Sequence, residues 1–339
     1  MSPAGTHQRR KAFWLALGLG LASLVLLALG MSVGSTGFDS VLQMQRDPQA
    51  FLIVSEIRLP RTLGAWLSGA LLGLAGAVAQ GLFRNPLADP YLLGSASGAS
   101  LGVALAMALL GISPLATHWL ARLGLTGAAF VGAVLAVLLT LLLAKGVQHT
   151  LRLLLAGVVI GVVLGAITSL TLLLQPEIMQ AMQSFMLGST AFVGWTACAL
   201  MAAVFAAMML AAWMMGHALD GLALGEATAQ SLGLPLAWMR AALVGVLALS
   251  TGTAVAQTGL IAFVGLAAPH LVRSAVKTTH GRLIGLASLM GAVLLTAADI
   301  LARGLVAPQE LPVGVLTAVL GGSYLLWLMH RHTERTGGA

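Results

Sequence analysis

Few side chains in this 339-residue chain are equipped for chemistry: ten carboxylates, seventeen Lys and Arg, eight His and one Cys, in a sequence that is 59% hydrophobic. The most polar stretch runs from His217 to Pro235, HALDGLALGEATAQSLGLP. There Leu222, Leu224, Leu232 and Leu234 flank Glu226, Thr228, Gln230 and Ser231, and Gly225 and Gly233 divide the stretch into one or two short helices. An acid on a short helix between glycines is shaped to dock into a groove on another protein, and an ordinary amphipathic loop has the same pattern. Arg58, Arg61 and Arg303 stand beside long apolar segments. Each can anchor at the headgroup level. Asp299 lies one turn before Arg303 and can satisfy that arginine from within.

Other constellations are weaker. Gly98-Ala99-Ser100-Leu101-Gly102 fits the Gly-x-Ser-x-Gly pattern of serine hydrolases, but no partner histidine is placed for it, and Gly, Ala and Ser abound here. Met179, Met182 and Met186 could form a haem- or metal-facing stripe, and their helical spacing is better read as core packing. The histidines show no ligand spacing. No Gly-x-x-x-x-Gly-Lys-Ser/Thr phosphate loop occurs, so this chain cannot cradle ATP itself. The net charge of +7 comes from scattered basic residues without a basic, aromatic-laced face, which excludes a nucleic-acid reader. Cys198, the single cysteine, can form no internal disulfide.

The elements that must position these residues follow from composition. Only 8% of residues are charged and the mean hydropathy is +0.98. Soluble domains carry about a quarter charged residues, so the solvent for this surface is a bilayer. The 41 glycines lie mostly inside apolar runs, where small residues let helix backbones approach closely in lipid. Ten spans are expected, near 12–33, 62–81, 91–112, 119–144, 152–174, 195–216, 236–257, 260–276, 282–303 and 312–330, with Pro269 interrupting the eighth. The segment after Arg9, Arg10 and Lys11 resembles an export signal, yet is long enough to span and reads as the first transmembrane helix.

With the N-terminus inside, twelve basic residues face inward and five (Arg46, Arg58, Arg61, Arg122 and Arg303) face outward, as the positive-inside rule requires. Both termini are then cytoplasmic, and so is the loop 217–235. A faint repeat, Val78-Ala79-Gln80 ending the second span and Val255-Ala256-Gln257 ending the seventh, is the signature of an inverted repeat.

Three motif blocks extend this reading. The first is Arg58-Leu59-Pro60-Arg61, then Gln80-Gly81-Leu82-Phe83-Arg84-Asn85-Pro86-Leu87-Ala88-Asp89-Pro90, Leu93-Gly94 and Ser97-Gly98-Ala99. The second is Gly259 to Leu266 with Pro269-His270 and Arg273. The third is Ala298-Asp299-Ile300-Leu301-Ala302-Arg303, Glu310-Leu311-Pro312-Val313-Gly314-Val315 and Gly321-Gly322. Over residues 13–331 the chain resembles the FecCD-type permeases of ABC importers for iron chelates and cobalamin.

The resemblance implies an all-α polytopic membrane protein occupying residues 1–339 as one permease domain. Its ten transmembrane helices would form two inverted five-helix halves, in a permease homodimer in the bacterial inner membrane. Two ATPase subunits would lie below and a periplasmic substrate-binding protein above; ATP and Mg would stay on the partner, with no cofactor on this chain. It implies coupling to the ATPase through Leu222, Gly225, Glu226, Ala227, Ser231 and Gly233, although the glycine falls one position later than in the commonest version of that loop. It implies docking of the binding protein at Arg58, Arg61 and Arg303. Asn85 and Thr150 would sit near the inner gate, with Leu151 standing where the family commonly has a small polar residue. The expected cargo is a ferric siderophore or haem, with cobalamin the alternative. A secondary transporter, which would need intramembrane ion-coupling carboxylates, is the remote one.

Overall fold

The computed structural model describes residues 3–34, 37–38, 48–111, 119–144 and 150–336. Arg46 and Lys145 lie outside the described residues, as do the side chains of Arg122 and Thr150. Fourteen α-helices are described. The long ones are α1 (Pro3–Ser32), α3 (Leu59–Leu82), α5 (Trp119–Leu143), α6 (Thr150–Leu174), α8 (Trp195–Met214), α11 (Leu236–Thr258), α13 (His280–Gly304) and α14 (Val313–Thr336). Between them lie α2 (Pro48–Ile53), α4 (Ser95–Leu110), α7 (Met179–Leu187), α9 (Gly216–Ala223), α10 (Glu226–Ser231) and α12 (Val264–Ala275). A two-residue antiparallel ribbon, β1 (Val33–Gly34) with β2 (Gly37–Phe38), follows α1. Among the described residues seven helices are long and apolar enough to cross a membrane, and Ser95–Leu110 and Val313–Tyr324 are shorter apolar ones.

The surface is that of a protein solvated by lipid. Leu142 and Leu173 are each 74% exposed, and α6 turns Val158, Val159, Val162 and Val163 outward. The polar groups are inside instead. α3 is the central helix, with every residue buried except Leu59, Leu63 and Trp66. It is small-residue-rich because its neighbours press on its backbone. A Cβ on Gly69 would run into the Gly291 carbonyl of α13, and one on Gly73 into that of Ala287. Gly76 meets the Gly265 carbonyl of α12 in the same way. Without a hydrophobic drive between helices in lipid, this close packing is what holds them.

The packing repeats between the two halves of the chain. Exchanging α3, α4, α5 and α6 for α11, α12, α13 and α14 maps the pair α3–α13 onto α11–α5, α4–α5 onto α12–α13, and α4–α11 onto α12–α3; all of these pairs pack. The two short members, α4 and α12, are both entered through a left-handed residue, Gly94 at φ +78° and Phe263 at φ +68°.

Three sequence expectations meet a more detailed structure. The helix over the second expected span runs beyond 62–81: α2, a π-helical turn (Val54–Arg58) and α3 form one run from Pro48 to Leu82. Arg58 and Arg61 are therefore inside a helix rather than at its outer end. Pro60 does not break that run because the π turn precedes it, with Leu59 N–H reaching back to the Val54 carbonyl. The eighth span is helical only from Val264. Twelve residues give about 18 Å, so the irregular segment 259–263 must supply the rest of any crossing. Backbone of that kind is tolerated at depth only inside protein. Here Leu260 N–H bonds the Phe185 carbonyl at 3.2 Å, and the Ile261 carbonyl accepts the Tyr91 hydroxyl at 3.1 Å. Finally, the methionines do not act as one stripe: Met182 is fully buried, while Met179 and Met186 are about half exposed.

Gly98-Ala99-Ser100-Leu101-Gly102 lies in the interior of α4 and forms no nucleophile elbow. Its glycines accept α5, Gly98 against the Gly132 carbonyl and Gly102 against that of Ala128.

Candidate functional site

Two polar clusters stand at opposite ends of α13. The first gathers Arg61, Thr62, Thr190, Asp299, Arg303 and Glu310. Asp299, fully buried, sits at the centre, with Arg61 Nε and Nη2 both 3.4 Å from its Oδ1. The Thr190 hydroxyl donates to Asp299 Oδ1, and Arg303 pairs with Oδ2. Arg303 also donates to the Gly30 carbonyl at 3.0 Å and Thr62 Oγ1 at 3.2 Å. Arg61 reaches Glu310 at 2.8 Å. Arg58 lies alongside, donating to the Met31 and Ser32 carbonyls at 3.4 and 3.2 Å.

The three arginines expected at the outer surface are thus buried, with Arg303 only 1% exposed. Their guanidiniums stitch α1, α3 and α13 together. The i,i+4 pairing of Asp299 with Arg303 was legible in the sequence; the convergence of Arg61, Thr190 and Glu310 on it was not.

The second cluster is the loop 217–235. It folds as the two short helices α9 and α10, broken where expected: Gly225 has φ +108° and Gly233 φ +76°, conformations that a side chain would strain. Leu222 does not face outward; it is 1% exposed and packs in the core with Leu219 and Ala229. Leu224, Ala227, Ser231 and Leu232 are exposed, and Ser231 donates to the Thr228 carbonyl. Glu226 turns back onto the bundle, 2.6 Å from Arg240 of α11 and 3.9 Å from Arg84. Arg240 is 5% exposed, so Glu226 balances a charge that α11 holds inside.

Glu226→Ala is expected to cost about 1 kcal/mol, because one partner of the pair is exposed, and to speed protease cleavage within 217–235. Unchanged cleavage would mean that the Glu226–Arg240 pair does not hold the loop.

The turn beside it follows from its own residues. Asn85 is exposed, and its Oδ1 accepts the Leu87 N–H at 2.9 Å. Asp89 Oδ1 accepts the Tyr91 N–H at 2.8 Å and so caps the short helix that leads to α4. Burial raises the Asp89 carboxyl above its ordinary value, while that N–H pulls it down. Gln80, of the repeated Val-Ala-Gln, is buried, donates to the Leu266 carbonyl at 3.1 Å and accepts from Arg273. It thereby ties α3 to α12. Thr150 opens α6, away in sequence from Asn85, and no described contact joins the two.

Sequence reasoning missed Arg240 and Glu310 as members of these clusters. The signal was present: with ten carboxylates in a membrane chain, each one marks a charge partner to be found.

A lipid-solvated bundle with repeated halves, a buried charge cluster at one end and a two-helix loop at the other defines a polytopic membrane protein. The chain belongs to the FecCD transport family, whose family model matches residues 17–331, and is a permease of the ABC importer class. It is 39% identical over 329 residues to the vitamin B12 import system permease protein BtuC of Shigella boydii, covering 96% of this chain and 97% of that one. It is 37% identical over 330 residues to the hemin transport system permease protein HmuU of Yersinia pestis, covering 96% and 98%. A metal-chelate type ABC transporter solved in an inward-facing conformation matches with a TM-score of 0.84 at 29% identity, over 93% of this chain and 98% of that one. PsaBC from Streptococcus pneumoniae, at 19% identity and a TM-score of 0.60, shares the fold.

Proposed function

We propose that the chain moves an iron chelate, a ferric siderophore or haem, from periplasm to cytoplasm across the bacterial inner membrane. Two copies form the pathway, each crossing ten times in two inverted five-helix halves with both termini cytoplasmic. Two ATPase subunits take the loop 217–235, with Glu226, Ala227 and Ser231 at the contact, Gly225 and Gly233 shaping it, and Leu222 rooting it in the core. ATP and Mg remain on those subunits, and this chain binds no cofactor. A periplasmic binding protein seats on the outer face whose shape Arg58, Arg61 and Arg303 hold from inside. Asn85 and Thr150 stand near the inner gate. ATP-driven closure of the ATPases rocks the two permease copies between access states, and no bond in the cargo is made or broken. Small and apolar residues suit such a pathway, because strong contacts would trap a large chelate.

The observation that carries this reading is the likeness over nearly the whole chain to a metal-chelate type transporter and to a haem permease. The similarity to BtuC favours cobalamin as the second reading.

The test is ATP-dependent uptake in nanodiscs holding the permease, its ATPase and its binding protein, scored for ferric siderophore, haem and cobalamin in parallel. Uptake of a ferric siderophore or haem is expected, and uptake of cobalamin alone would replace the first reading by the second. The double charge reversal Arg58→Glu/Arg61→Glu is expected to lower uptake at least about a hundredfold, since it sets a carboxylate against buried Asp299 and unseats the cluster that shapes the docking face. Undiminished uptake by that variant would remove these residues from the docking platform.

A further inference from the structure

We propose that Asp220 is a positioning residue through which the loop 217–235 grips α13, and that α13 carries coupling from that loop to the outer charge cluster. The proposal rests on the importer reading above.

α13 begins without a cap of its own: Thr279 stands at the N-cap position and makes no side-chain capping bond. Asp220 of α9 supplies it from sixty residues away. Its Oδ1 accepts the His280 backbone N–H at 3.0 Å and lies 2.7 Å from ring Nδ1. A carboxylate there also faces the positive end of the helix dipole. The contact is sheltered on the histidine side, whose side chain is 17% exposed. Backbone packing makes a second tie, because a Cβ on Gly216 at the start of α9 would lie 2.8 Å from the Gly281 backbone. α9 and the first turn of α13 are therefore one unit.

The other end of α13 carries Asp299 and Arg303, which hold α3, α1 and the Thr190 segment. Between the ends, Ala287 and Gly291 bear directly on the backbone of α3. A regular helix of 25 residues spans roughly 37 Å. A push on α9 is thus delivered to the outer cluster by one helix, without an intervening loop. Asp220 lies in the loop given above to the ATPase but is not among its named contact residues, and His280 lies outside that loop.

The test uses the full complex in nanodiscs and reads the fold-stimulation of ATP hydrolysis by the binding protein, alongside co-purification of the ATPase. Asp220→Ala is expected to keep the ATPase bound but to lower stimulation about tenfold, within the range of ordinary coupling energies. Asp220→Asn keeps an oxygen that can accept the His280 N–H and should retain most of the stimulation. Wild-type stimulation in Asp220→Ala, or equal loss in Asp220→Asn, would overturn the proposal.

A second arm covers the case in which Asp220→Ala fails to assemble. In a Cys198→Ser background, Asp220→Cys/His280→Cys is bridged with a short reducible thiol cross-linker. Low stimulation is expected before bridging and recovery on bridging, since the tie is restored; wild-type stimulation without the bridge, or no recovery with it, would overturn the idea. No stimulation in the wild-type complex would instead sink the importer reading itself.

Discussion

Asp299→Ala is expected to destabilise the folded chain by about 3–5 kcal/mol, the usual cost of removing one partner from a buried ion pair. Asp299 is fully buried and is the point on which Arg61, Arg303 and Thr190 converge. Alanine would leave two guanidiniums, 10% and 1% exposed at their side chains, with Glu310 as the nearby carboxylate. Thermal unfolding of detergent-purified protein, followed by tryptophan fluorescence, measures the effect. The double variant Asp299→Leu/Arg303→Met removes a charge of each sign and is expected to recover most of the loss, because a buried pair adds little over well-packed apolar groups. A single variant that unfolds like the wild type would show that water reaches this cluster and that the charges need no internal balance.

The second large effect is expected at the α3–α13 crossing. Gly69 and Gly291 face each other so closely that a Cβ on either would strike the other's carbonyl oxygen. Backbone cannot rotate away as a side chain can, so Gly69→Val must force the two helices apart. Overpacking of this kind typically costs 1–3 kcal/mol, and about 3 kcal/mol is expected because α3 is held by α8, α11 and α12 as well. Gly18→Val is the control: nothing lies within 4 Å of a Cβ there, so it should unfold with the wild type. Equal destabilisation by the two variants would trace the effect to helix propensity rather than to close packing.

How much was legible in the sequence differs between the fold and the site. Loop 217–235 was readable because its cues are local: glycines at 225 and 233 fix where the chain turns, and both take positive φ. The pairing of Asp299 with Arg303 was readable because i,i+4 neighbours on a helix face one another. The role of Leu222 was not, since an amphipathic loop leaves open which leucines turn inward. The extension of the helix over that span back to Pro48 was hidden by Pro60, which reads as a boundary until a π turn absorbs its missing donor.

By itself the sequence determined the solvent and the helical class of the chain. Apolar runs long enough to span follow from transfer energies that act residue by residue. Only the tertiary structure decided where the charges go. Asp220 reaches His280 across sixty residues, and Arg61 reaches Asp299 across 238. Those meetings depend on how close the helices come. That closeness is set by reciprocal glycine contacts such as Gly69 with Gly291, which no single segment contains.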